Sequence, residues 1–144
     1  MKSIRFWIPA FAWMTVIFLF STDLFGASTT FSITRIVLRW LFPFLPEPAI
    51  ATIHVGLRKV GHVGSYAALS YFYLCGLLKT FHPLPLWQTK WGVLAFVLCI
   101  LYACTDEWHQ SFSTVRTGSV WDVGWDTLGA AITQTVNRIR SKNS

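Results

Sequence analysis

WGVLAFVLCILYACTDEWHQ, residues 91–110, is the stretch on which the fold turns. From Trp91 to Cys104 every side chain but Gly92 is apolar. Thr105, Asp106, Glu107, Trp108, His109 and Gln110 then follow with no Pro or Gly between. Nothing in that order stops a helix, so the pattern predicts one helix that leaves hydrocarbon and ends in polar groups. About 20 residues cross a bilayer core at 1.5 Å per residue, and this stretch is long enough.

The rest of the chain has the same character. Its 144 residues leave room for a single domain over residues 1–144. Charged residues make up 12%, roughly half the share of a soluble domain, so a water-facing surface would be under-supplied. Eight Trp fit headgroup-level belts. The net charge of +6 comes from Lys and Arg scattered between apolar blocks. That spacing argues against nucleic acid as a partner and for anchors at a lipid surface. Cys75, Cys99 and Cys104 are odd in number and form no CxxC pair, so they read as packing residues.

Working outward, Phe6–Phe20 is an apolar block behind Lys2 and Arg5. No small-residue cleavage site follows Ser21, so the block is expected to be a retained helix rather than a signal peptide. In Ser28–Pro48, Ile33, Ile36, Val37, Trp40, Leu41 and Phe44 share one helical face, with Arg35 and Arg39 on another. Pro43, Pro46 and Pro48 end that pattern, and an amphipathic helix in the membrane surface is expected. Val60–Leu78, closed by Lys79, is the second span. His54 and His82 are assigned to loops, and the Trp residues mainly to headgroup level.

Val120–Val136 is the most polar of the expected spans. An Asp at a helix centre costs about 2.5–3.5 kcal/mol on insertion scales. Asp122, Asp126, Gly129 and Thr133 fall at i, i+4, i+7 and i+11, however, so they form one small polar face to turn toward other helices. The expected fold is therefore an all-α membrane protein of about four transmembrane helices plus a short amphipathic interfacial helix. Four crossings put both termini on one side, with seven Lys/Arg against five on the other. That bias favours cytoplasmic termini.

Four crossings also bring the exits of spans one and three and the entries of spans two and four to one face. Asp23, Lys59, His62, Asp106, Glu107, His109, Gln110, Arg116, Asp122 and Asp126 all belong there. Lys59, His62 and Tyr66 form one stripe, and Asp106, His109 and Gln110 another.

The ordered set Lys59-x-x-His62-x-x-x-Tyr66-x-x-Leu69, Asp106-Glu107-x-His109-Gln110-x-Phe112, Arg116-x-x-Ser119-x-x-Asp122-Val123 and Asp126-x-x-Gly129 resembles the VanZ-like family of bacterial membrane proteins. The resemblance covers most of the chain. It implies a multi-pass protein of the bacterial inner membrane, and an association with resistance to the glycopeptide teicoplanin.

The residues themselves leave three functions open. Lys59, His62, Tyr66, Gln110, Arg116, Asp122 and Asp126 would bind an anionic lipid or a lipid-linked cell-wall precursor at the extracytoplasmic face, the bilayer being the other partner. A membrane-embedded hydrolase or transferase on a phosphate-bearing lipid would instead use Glu107, His109, Asp106 and His62 as catalytic candidates. Asp106, Glu107, Asp122 and Asp126 would then be candidate ligands for a divalent cation, the one cofactor this set could hold. In the third, the charges only pair among themselves to hold the bundle.

Overall fold

A computed structural model describes residues 4–81, 88–113 and 118–143. Within them the chain is all-helical, with five α-helices and no strand. They are α1 (Ile8–Phe20), α2 (Ala27–Leu41), α3 (Glu47–Phe81), α4 (Thr89–Gln110) and α5 (Val120–Lys142). Single 3-10 turns, Ile4–Phe6 and Asp23–Phe25, precede α1 and α2.

The helix predicted from residues 91–110 is α4, extended at its start by Thr89 and Lys90. Among the described residues it alone is long and apolar enough to cross a membrane by itself. The stretches Ile8–Phe20 and Asp23–Leu41 meet that standard only as a pair bent by 66°. The apolar block after Arg5 forms a helix as expected, and the amphipathic segment forms α2.

α3 departs most from expectation. It begins at Glu47, 13 residues before Val60, and runs for 35 residues. At 1.5 Å per residue that is about 52 Å, well beyond a hydrocarbon core of about 30 Å. Pro48 ends nothing here. It lies in the first turn of α3, where a missing N–H leaves no helical bond unmade. His54 accordingly is helical and buried, and its assignment to a loop is corrected. It contacts Thr34 Oγ1 at 3.3 Å and meets the Phe31 ring edge-on, which docks α2 on α3. His82 lies outside the described residues.

α3 is the hub of the bundle. Tyr66, Leu69, Ser70, Tyr73, Leu74 and Leu77 recur at three- and four-residue steps and are buried. α1 runs antiparallel to α3: Trp7 Nε1 donates to Thr80 Oγ1 at 3.0 Å and Trp13 Nε1 to the Ser65 carbonyl at 2.8 Å. These two indoles thus join helices and are not simple headgroup anchors. α4 runs parallel to α1, with the Tyr102 hydroxyl donating to the Met14 carbonyl at 2.7 Å.

α5 lies parallel to α3, and the small polar face read from its sequence forms the seam. A Cβ at Gly129 would stand 2.1 Å from the Val63 carbonyl oxygen, so only glycine lets the two backbones approach this closely. One turn on, Thr133 Oγ1 donates to the Ala67 carbonyl at 2.9 Å, and Gln134 Nε2 to Ser70 Oγ at 2.8 Å. The three cysteines are all unpaired thiols.

Candidate functional site

These helix directions gather the polar ends of α1, α3, α4 and α5 in one region. At the end of α1 and α4, Gln110 Nε2 donates to Ser21 Oγ at 2.8 Å and to Asp106 Oδ2 at 3.1 Å. Glu107, one residue further round α4, accepts the Ser119 backbone N–H at 2.7 Å and so fixes the entry of α5. Across the seam, His62 Nδ1 lies 2.9 Å from Asp126 Oδ1, while Nε2 lies 4.0 Å from Asp122 Oδ2. One atom each of His62, Glu107 and Asp122 falls within 4.8 Å of the other two.

The hydrogen bond to Asp126 decides how His62 is used. With Asp126 ionised, a carboxylate that only accepts, Nδ1 carries the proton and Nε2 is the nitrogen on the Asp122 side. Asp126 is fully buried, and its second oxygen, Oδ2, has no hydrogen-bond partner among the described residues. A buried carboxylate oxygen left so in low dielectric is costly.

Beside this cluster is a cleft of about 380 Å³ between α1 and α3. Trp13, Val16, Ile17 and Phe20 give it an apolar wall, and Arg58, His62, Tyr66, Asp106 and Gln110 are among its polar lining. Tyr66 is 1% exposed and its hydroxyl lacks a partner among the described residues. Its burial excludes a role as an interfacial anchor.

The structure therefore sorts the candidates read from sequence. His62, Glu107, Asp122 and Asp126 form one cluster; Asp106, Gln110 and Tyr66 border the cleft with His62. Lys59 turns toward α5 and sets its ammonium 4.7 Å over the Trp125 ring. His109 is exposed on the other side of α4, 5.0 Å from the Phe18 ring. It lines a separate depression with Asp23 and Ser113, whose hydroxyl donates to the Asp23 carboxylate. Arg116 lies outside the described residues.

Arg58 was missed. The signal was available, since Arg58, His62 and Tyr66 are each four residues apart and share a helical face. Lys59, three residues before His62, is also near that face. Spacing alone does not choose between the two bases.

Glu47 also has partners that the sequence did not assign. It receives Arg39 Nη2 at 2.7 Å and Arg35 Nη2 at 2.9 Å, all three side chains being well exposed. The hydrogen bond from Arg39 is the main influence holding its carboxyl below the ordinary value, with Arg35 adding to it.

No curated protein and no solved structure gives a significant match to this chain. A family model described as VanZ/LLP1 matches residues 6–139, which takes in α1 to α4 and all but the last turn of α5. With a match over nearly the whole chain, on top of the ordered motifs at His62, Glu107 and Asp126, the chain belongs to the VanZ/LLP1 family.

Proposed function

We propose that this protein binds the anionic headgroup of a membrane amphiphile, such as a phospholipid or a lipid-linked cell-wall precursor, in the cleft between α1 and α3. The observation that carries the reading is the two-sided lining of that cleft, aromatic and aliphatic along α1 and polar with Arg58 on α3. An acyl or polyprenyl chain suits the apolar wall. A phosphate suits the guanidinium, whose planar fork forms charge-assisted bonds to such oxygens. Binding of a cell-wall precursor would also supply a physical route to glycopeptide resistance, by covering the antibiotic's target.

In this reading α1, α3, α4 and α5 cross the bacterial inner membrane, and the cleft is extracytoplasmic. α2 and the start of α3 lie at that surface, in keeping with the exposed Ile36, Trp40 and Phe44 on α2 and the turn after it. Reporter fusions after Lys79 and Arg140 should then report cytoplasm, and one at Ser113 the exterior. A C-terminal reporter found outside would remove a span.

Binding itself is tested by mass spectrometry of lipids that copurify with wild type and with Arg58→Ala. Retention should fall about tenfold or more, the loss expected when one charge-assisted hydrogen bond goes. The same variant should lose any protection against teicoplanin that wild type confers. Equal lipid retention by both proteins would reject the cleft as the headgroup site.

A further inference from the structure

We infer that His62, Glu107 and Asp122 form a binding site for one divalent first-row metal ion, with Asp126 orienting the histidine. The donor atoms converge from three helices, α3, α4 and α5, to within 4.8 Å of one another. One imidazole nitrogen with two carboxylates is a donor set that suits Zn²⁺ or Mn²⁺. The inference concerns ion binding alone and does not depend on the headgroup reading.

Three features besides proximity point to a cation. First, the His62–Asp126 pair has the arrangement found behind metal-bound histidines, a carboxyl group 2.9 Å from one ring nitrogen and the other nitrogen on the side of a proposed ligand, Asp122. Second, the carboxylates here, Asp106, Glu107, Asp122 and Asp126 around one histidine, lack basic partners of Lys or Arg at salt-bridge distance among the described residues, Arg58 lining the adjoining cleft. Lys59, the nearest base in sequence, is held over Trp125 instead. Third, two polar atoms next to the cluster are buried and unpartnered among the described residues: Asp126 Oδ2, on a residue 0% exposed, and Tyr66 Oη, on a residue 1% exposed. Tyr66 lines the cleft alongside His62 and Asp106.

The test uses the full chain in detergent, treated with a chelator and then titrated with Zn²⁺ and, separately, Mn²⁺ by calorimetry. Wild type should take up one ion per chain. His62→Gln should abolish uptake, and Asp122→Asn should weaken it at least tenfold, whereas His109→Ala, outside the cluster, should bind as wild type does. Co²⁺ added to wild type should give ligand-field absorption bands that Zn²⁺ displaces, a readout that needs no variant to fold. Arg58→Ala should keep the ion even where it loses lipid, so the two proposals fail separately. Absence of stoichiometric uptake by wild type would overturn the site, and so would unchanged uptake by a folded Asp122→Asn. Either result would leave protonation as the means by which these carboxylates are neutralised.

Discussion

Along the seam from His62 to Gln134, α3 and α5 hide their polar atoms between backbones in near contact, whereas at Glu47 the joint of α2 with α3 leaves its ion pairs in reach of water. One helix, α3, belongs to both regions. In the seam, Asp126 is fully buried and meets His62 at 2.9 Å, and Gly129 lies against the Val63 carbonyl. At the joint, the side chains of Arg35, Arg39 and Glu47 are 55%, 43% and 44% exposed. Distances are alike in the two places, so distance is a poor guide to energy. A polar contact that excludes water is costly to break, because the surviving partner is stranded; an exposed one simply exchanges its partner for water.

The largest effect should come from the seam's closest approach. Gly129→Val puts a branched side chain against the Val63 carbonyl and the Ala67 amide, both backbone atoms that no rotamer change can move. The cost should be about 3 kcal/mol, at the upper end of overpacking effects. Thermal melting in detergent and membrane yield measure it. Gly56→Ala and Gly64→Ala provide the contrast, since a Cβ at either meets nothing within 4 Å. Those two should be neutral or stabilising by about 0.5–1 kcal/mol, the gain of alanine over glycine inside a helix. Similar melting of Gly129→Ala and Gly64→Ala would mean that α3 and α5 are not packed this closely.

Next in size is the coupling between His62 and Asp126. A double-mutant cycle with alanine at each should give a coupling energy of about 1.5–3 kcal/mol, as for hydrogen bonds to charged groups. Additive singles would dissolve the seam's central contact. Smaller again is Lys59 with Trp125, where a cation over an aromatic face near the surface is worth about 0.5–1 kcal/mol. The same cycle run on Lys59 with Asp122 should show no coupling, because His62 is the side chain facing Asp122. Strong Lys59–Asp122 coupling would restore the lysine to the cluster.

The two regions also differ in how far the sequence disclosed them. Periodicity alone exposed the seam: Asp122, Asp126, Gly129 and Thr133 share a face, and a polar face on an otherwise apolar helix needs a partner. The shared face of His62, Glu107, Gln110, Asp122 and Asp126 follows from counting the expected crossings, whereas Ser21, which meets Gln110 there, carries no such signal. The start of α3 did not show, because Pro46 and Pro48 look alike in sequence. Only one of them lies in a first helical turn, where proline is tolerated. His54 reads as a loop residue for the same reason, since nothing between Pro48 and Val60 marks a helix start. His109 was grouped with Asp106 and Gln110 by a three- and four-residue spacing that spans a wide arc of the helix. The arc's two edges face different neighbours, Phe18 on one side and the cleft on the other. Arg58 and Lys59 were separable only by knowing where α5 lies.

The smallest effect belongs to Glu47, and its pH dependence has a definite sign. Arg39 and Arg35 favour the charged carboxylate, so the group titrates lower in the folded chain than in the unfolded one. Its contribution is therefore complete above the unfolded carboxylate value of 4.5 and is lost as pH falls through the lower folded value. At pH 7, Glu47→Gln should speed hydrogen exchange in α2 while leaving α5 amides at wild-type rates. Below the folded value the wild-type carboxyl is itself neutral, and the two proteins should exchange alike in α2. Added salt at pH 7 should narrow the gap in the same direction, since these charges are exposed and screened. A gap that persists in acid would assign the joint to His54, Thr34 and Phe31 instead, the buried contacts that hold α2 without any ion pair.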